Sequence, residues 1–264
     1  MAQHLMCCHR LLEGNVQGIQ NVDFLIALCL LLGAILYTSV GHAGSSVYIA
    51  IMSLFGVPAQ VIKPTALVLN IIVSSYTSVR YISAKLFDLK LYIPLAVGAI
   101  PMSFLGGSID LPSEIYKPIV GAILFFAGIM FLFQLNPQGT KEPKHPPVAV
   151  AVLTGAAIGL LSGLTGTGGG IFLSPLIIFF AWTTVKGASG TAALFILTNS
   201  VFGLLGHISS VSELPDALWL YAIAVVIGAL IGTRLGIKQF SNDAVKRALG
   251  AVLLIAGTKL MFSL

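Results

Sequence analysis

Two glycine-rich stretches hold residue types suited to binding small anions. The first is Gly41-His42-Ala43-Gly44-Ser45-Ser46. The second is Gly163-Leu164-Thr165-Gly166-Thr167-Gly168-Gly169-Gly170, with Pro175 five residues on. Glycine permits backbone conformations that break a helix and let main-chain N–H groups face a ligand. Each stretch precedes a short apolar run, at 47–57 and 171–182, so each opens a short helix. A helix N-terminus carries about half a positive charge and free N–H donors, a combination that suits an oxyanion. Ser45, Ser46 and Thr167 add hydroxyl donors. A nucleotide phosphate loop is a poor alternative, because the second stretch lacks the Gly-Lys-Ser/Thr ending of that chemistry.

Polar residues inside apolar stretches form the second set of candidates. Asn70 and Asn199 occupy similar places in the two halves of the chain, and an amide in hydrocarbon needs several partners. They are expected to face a shared cavity as a pair, and Thr191, among the hydroxyls of the eighth run, is a further substrate-binding candidate. Ser74, Ser75, Thr77, Ser78, Thr198 and Ser200 are read instead as hydroxyls bonded to the carbonyl four residues back or to a neighbouring helix. His42 lies within the first break and titrates near neutral pH, so it is the ionisable group placed to donate to the anion or to carry a coupled proton. Lys63 and Lys186 precede the polar stretch of each half; snorkelling to headgroups and attraction of anions at each mouth are both open. His207 is expected at the outer interface.

The elements that must position these residues are helices in lipid. Of 264 residues, 57% are hydrophobic and only 9% charged, and the mean hydropathy is +0.99. A soluble domain carries about 25% charged residues, so a globular surface in water is excluded. Ten apolar runs follow one another: 24–40, 47–57, 66–81, 91–109, 118–135, 148–164, 171–182, 192–208, 218–235 and 248–264. A crossing helix needs roughly 20 residues for about 30 Å of hydrocarbon. Most runs approach that, whereas the second and seventh are about half as long. Short apolar helices at matching places in two halves mark discontinuous helices at a transport site. The runs do not alternate polar with apolar, which excludes a barrel. A polar, proline-rich stretch at 136–147 (NPQGTKEPKHPP) divides the chain into an N-terminal segment (1–23), a first transmembrane repeat (24–135), a linker (136–147) and a second repeat (148–264).

The halves match in sequence. Lys117-Pro-Ile-Val-Gly121-Ala122-Ile-Leu124-Phe-Phe-Ala127-Gly128 aligns with Lys246-Arg-Ala-Leu-Gly250-Ala251-Val-Leu253-Leu-Ile-Ala256-Gly257, with six of twelve positions identical. Gly41-His-Ala-Gly44 lies over Gly166-Thr-Gly-Gly169, and Thr65-Ala66-Leu67 near Thr191-Ala192-Ala193. Positive loops stay cytoplasmic, which sets orientation. If all ten runs cross, Arg80, Lys85, Lys90, Lys141, Lys144, Lys186, Arg234, Lys238, Lys246 and Arg247 fall on one side; Arg10, Lys63, Lys117 and Lys259 fall on the other. If the short runs turn back, the split is even. Ten crossings are therefore expected, with both termini outside. The loop from Arg80 to Lys90 is then inside, and its counterpart around Glu213 and Asp216 outside. The fold class is an all-α polytopic membrane protein of two inverted repeats of about five helical segments each (8–10 transmembrane helices), with short broken helices after the glycine motifs.

The first break, the block Gly159-Leu-Leu-Ser-Gly163-Leu-Thr-Gly-Thr-Gly-Gly-Gly170 with Pro175, and the paired Gly-Ala…Ala-Gly helices resemble the sulfite exporter TauE/SafE family of membrane permeases. The resemblance runs from about Phe24 to the C-terminus, and the second block is its most specific part. It implies movement of a sulfur-containing anion such as sulfite, thiosulfate, sulfate or a small organosulfonate across the cytoplasmic (inner) membrane. The first block has His42 and serines where the second has Thr167 and glycines, so a substrate held between them is read differently on its two sides.

The expected function is thus a secondary transporter, an exporter of a small oxyanion, with Gly41, His42, Gly44, Ser45, Ser46, Asn70, Gly166, Thr167, Gly168, Gly169, Gly170, Thr191 and Asn199 binding substrate. The partners are the oxyanion and the bilayer, with no nucleic acid, cofactor or metal. A passive anion channel would use the same donors. An intramembrane hydrolase built on Ser162 with His42 or His207 is the enzyme alternative, but Ser162 sits in GLLSG and not in a GxSxG elbow. A metal-ion transporter is least favoured, because no Asp or Glu lies deep in any run.

Overall fold

The computed structural model describes residues 2–39, 41–133, 143–208, 214–238 and 243–262. Of the expected linker, 136–142 lies outside these residues, as does Glu213, and the side chains of Arg10, Lys238, Lys246 and Arg247 are likewise outside. Ten helices occur among the described residues, one for each apolar run: α1 (Ala2–Ser39), α2 (Ser45–Leu54), α3 (Ala59–Ser83), α4 (Leu89–Ser108), α5 (Ser113–Phe133), α6 (Val148–Thr165), α7 (Gly170–Phe179), α8 (Val185–His207), α9 (Leu218–Lys238) and α10 (Asp243–Phe262). The described residues contain no strand. The segment ahead of the first apolar run is continuous with it in one helix.

Among the described residues, five helices are long and apolar enough to cross a membrane: α1 over Asn21–Ser39, α4, α6, α8 over Lys186–His207 and α9 over Leu218–Ile237. The helices α2 and α7 have 10 residues each, about 15 Å at 1.5 Å per residue. That is about half of the roughly 30 Å of hydrocarbon, so neither crosses as a helix alone.

The distribution of side chains is that of a protein in lipid. Large apolar residues such as Phe24, Val97, Phe126, Leu153 and Trp219 are exposed, while Thr65, Asn70, Ser74, Ser103, Ser162, Thr165, Thr191, Asn199 and Ser200 are fully buried. In water the preference would run the other way. In hydrocarbon, polar groups must find their partners inside the bundle.

Glycine lets the helices approach to backbone contact. A Cβ on Gly163 would strike the Ser103 carbonyl, and one on Gly98 the Val152 carbonyl, so α4 and α6 run side by side and parallel. Gly228, Gly232 and Gly236 of α9 meet Leu31, Ile35 and Ser39 of α1 in the same parallel sense. The helices matched by sequence, α5 and α10, pack on each other and run antiparallel. A Cβ on Gly121 would stand 2.8 Å from the Gly257 carbonyl oxygen, and one on Gly250 2.8 Å from that of Gly128. The other matched pair, α3 and α8, also meets antiparallel, with Asn70 against Ser200 and Leu67 beside Gly203.

At one end of the bundle three connections converge. The Asp88 side chain caps α4 by accepting from the Leu91 N–H at 3.1 Å. It also accepts from the Thr183 hydroxyl at 3.0 Å and lies 2.9 Å from His145 Nε2. The Lys144 N–H donates to the Ala181 carbonyl at 2.9 Å. A cavity beside this knot is lined by Lys85, Lys90, Thr183, Thr184 and Gly187, among others. At the opposite end the Lys63 ammonium donates to the carbonyls of Gly107 (3.2 Å) and Ile109 (3.3 Å), and His207 Nδ1 lies 3.1 Å from Asp110.

Candidate functional site

The two glycine breaks meet inside the bundle. Gly41 and Gly44 have φ of +84° and +107°, and Gly166, Gly168 and Gly169 have +78°, +71° and +78°. These left-handed conformations are costly for residues with a Cβ, which explains why the chain uses glycine where α1 gives way to α2 and α6 to α7. Gly44 and Gly169 are the N-caps of α2 and α7, and neither helix has a side-chain cap. The first amides of both helices have no acceptor within their own helix.

Contacts across the junction are direct. The Ser45 hydroxyl, in the first turn of α2, donates to the main-chain carbonyl of Thr167. His42 approaches the start of α7: its Cδ2 lies 3.6 Å from where a Cβ on Gly170 would stand. It also meets the Tyr37 ring edge-on at 6.1 Å. Ser46 is buried in the same turn as Ser45. The two uncapped helix ends therefore come together from opposite halves of the chain.

Two asparagines face successive glycines of the second break. Asn70 Nδ2 stands where a Cβ on Gly168 would fall, and donates to the Ser200 hydroxyl at 2.7 Å. Asn199 Nδ2 stands 3.1 Å from where a Cβ on Gly169 would lie. Neither polar atom of Asn199 has a hydrogen-bond partner, although the residue is fully buried. Phe195, Ile158 and Ile196 supply apolar walls around these glycines.

Most of the residues singled out by sequence converge here. Gly41 packs on Ser189 at the start of α8, and Gly166 on the Lys63 backbone and stem, so these two form the rim. Thr191 stands apart. Its hydroxyl accepts from the Asp88 N–H at 3.3 Å, at the end of the bundle where α4 begins. Lys63 is buried, not snorkelling, and holds the last carbonyls of α4 beside the second break. Ser162 is buried and makes no hydrogen bond to either histidine, so neither histidine activates it as a nucleophile. Two further contacts support the second break. The Tyr116 hydroxyl of α5 donates to the Thr165 carbonyl at 3.0 Å, and the Thr165 and Thr167 hydroxyls are 3.0 Å apart. Only tertiary packing brings Tyr116 there, so spacing along the chain gave no signal for it.

A helical bundle with an apolar exterior, and with two broken helices meeting in a polar interior, has the architecture of a membrane transporter. The chain belongs to the sulfite exporter TauE/SafE family, whose model matches residues 25–260. It is similar to the probable membrane transporter protein y4hK of Sinorhizobium fredii, with 37% identity over 240 residues, covering 90% of this chain and 97% of that one. The probable membrane transporter protein YdhB of Bacillus subtilis is 26% identical over 253 residues, covering 90% of this chain and all (100%) of the other. The probable membrane transporter protein MJ0441 of Methanocaldococcus jannaschii is 24% identical over 253 residues, with 89% and 91% covered. No solved structure matches the chain. The protein is thus a multi-pass membrane transporter, and its family places it in the inner membrane.

Proposed function

We propose that this permease is a secondary transporter that exports a small sulfur-containing oxyanion such as sulfite, thiosulfate, sulfate or an organosulfonate. The observation that carries the proposal is the meeting of two uncapped helix N-termini, from α2 and α7, with no carboxylate among the residues that join them. Their converging amides favour negative charge. His42 and the Asn199 amide add donors of a kind that suits sulfur–oxygen groups.

The two halves are proposed to be inverted repeats that rock about this junction. Antiparallel packing of the matched pairs α3/α8 and α5/α10 supports inversion, as does the glycine exchange between α5 and α10. Gly121 meets Gly257, and Gly250, the sequence match of Gly121, meets Gly128, the match of Gly257. A two-fold axis between the halves would produce such reciprocity. The pairing of α4 with α6 is likewise matched by that of α9 with α1. The end of the bundle carrying Lys85, Lys90, Lys144 and Lys186 is assigned to the cytoplasm by its positive charge.

Gly44, Ser45, Thr167, Asn70 and Asn199 are all buried, so the junction must part for an ion to reach it, as alternating access requires. An anion leaving an inside-negative cell gains about 2.3 kcal/mol per charge per 100 mV, which favours export without a coupled ion. The test is flux of radiolabelled sulfite, thiosulfate and sulfate in proteoliposomes, with a potassium–valinomycin potential of either sign. Saturable flux of one anion that follows the potential is expected. Flux of none of them, from folded protein, would overturn the assignment, and single-channel currents would replace the carrier with a channel.

A further inference from the structure

The two sides of the junction are not equally satisfied. On the first-half side the donors are engaged: the Ser45 hydroxyl with the Thr167 carbonyl, and Asn70 Nδ2 with Ser200. On the second-half side Asn199 is fully buried, and neither its Nδ2 nor its Oδ1 has a protein partner. Its amide end is aimed at Gly169, the uncapped N-cap of α7. Asn70, whose Nδ2 stands against Gly168, likewise keeps its Oδ1 buried without a partner.

The first amides of α7 and Asn199 Nδ2 are donors, and a bare oxyanion satisfies donors. The two amide oxygens are acceptors. A fully deprotonated oxyanion brings only lone pairs, so it would face Asn199 Oδ1 and Asn70 Oδ1 with nothing to donate. Leaving buried acceptors opposed in this way is unfavourable, and sites built around such groups discriminate against ligands that lack the matching one. An oxyanion that keeps one acidic proton meets both demands. Its O–H donates to an asparagine oxygen, and its remaining oxygens accept from α7 and Asn199 Nδ2.

We infer that the site at the α7 N-terminus takes a singly protonated oxyanion, with Asn199 as the residue that reads the proton. The inference rests on the permease reading above and adds the protonation state of its cargo. Hydrogen sulfite belongs to this class near neutral pH; sulfate and alkanesulfonates do not. Several titratable groups of the protein face the junction: His42, Lys63 beside Gly166, and the phenols of Tyr37 on α1, Tyr48 on α2 and Tyr116 on α5. A test must separate their protonation from that of the ligand.

The experiment is saturable sulfite flux in proteoliposomes of the full chain at mildly acid and mildly alkaline pH, with methanesulfonate and sulfate as competitors at both. Methanesulfonate is a monoanion without a proton at either pH, so any change in its competition reports the protein's own titration. The half-saturating total sulfite is expected to be about tenfold lower in the acid arm, while the inhibition constants of methanesulfonate and sulfate stay weak and level. Asn199→Leu, which removes the acceptor, is expected to abolish the difference between arms; the wild-type comparison decides the question even if that variant does not fold. A sulfite constant that is the same in both arms, or a methanesulfonate constant that moves in step with it, overturns the inference and leaves the permease reading standing. Absence of saturable flux and competition for every anion in both arms overturns the permease reading itself, and this inference with it.

Discussion

The hydroxyl of Ser45 donates to the main-chain carbonyl of Thr167, so the first turn of α2 is tied directly to the break ahead of α7. The link joins residues 122 positions apart and belonging to different halves. If the halves rock about the junction, this bond must break in each cycle. Ser45→Ala removes it at a cost of about 1 kcal/mol to the closed arrangement, which corresponds to roughly fivefold more opening. The measurement is alkylation of a Ser46→Cys reporter, in a background with Cys7, Cys8 and Cys29 changed to serine. Faster labelling with Ser45→Ala than without it is expected; equal labelling would remove the bond from the gating step.

Gly169 has φ of +78° and its absent Cβ would stand 3.0 to 3.1 Å from Ile158, Asn199 and Phe195. Gly169→Leu is therefore expected to abolish transport while the protein still reaches the membrane, because the side chain would fill the space before the α7 amides. Gly56 is the control. Its φ is +76° but nothing lies within 4 Å of its absent Cβ. Gly56→Ala shares the backbone strain, about 1–2 kcal/mol, without the crowding, and should keep its flux. Normal flux in Gly169→Leu would count against the site.

The apolar runs and the glycine breaks were legible because each is a local property of the chain. Short helices after Gly44 and Gly169 follow from φ values that only glycine adopts readily. Asn70 and Asn199 stood out because an amide among apolar residues demands partners. What the sequence could not convey was which partner each would find. Asn70 is bonded to Ser200, whereas Asn199 has no partner, and that difference arises only when α3 packs against α8. Thr191 matched Thr65 by position in the repeat, yet its hydroxyl serves Asp88 at the bundle's end. A matched place in the two halves does not bring equivalent surroundings, because the residues around it differ between the two breaks.

The α5–α10 contact predicts a paired effect. Gly121 and Gly250 occupy matched positions, and a Cβ on each would stand 2.8 Å from a carbonyl oxygen of the facing helix. Larger side chains must push the helices apart, with an overpacking cost of about 1–3 kcal/mol. Gly121→Val and Gly250→Val are each expected to lower the thermal midpoint in detergent by similar amounts. The double variant should fall short of the sum, since the first change already separates the helices. Full additivity would mean that the two contacts are independent.

The knot at the lysine-rich end predicts a dependence on acid. Burial raises the affinity of the Asp88 carboxyl for its proton, but the His145 side chain, the Leu91 N–H and the Thr183 hydroxyl more than offset this and hold it below the usual carboxylate range. A group whose folded pKa is depressed stabilises the fold above its unfolded value, about 3.9 for Asp. That contribution is lost as pH falls through the lower folded value. Asp88 therefore ties α4, the turn before α8 and the segment ahead of α6 together at neutral pH, and releases them in strong acid. Asp88→Asn removes the charge while keeping an oxygen for the α4 cap. The thermal midpoint of the variant is expected to lie below wild type at neutral pH, with the gap closing below about pH 4 as the wild-type carboxylate takes up its proton. A gap that stays constant into acid would show that the shape of the side chain, and not its charge, secures the three connections.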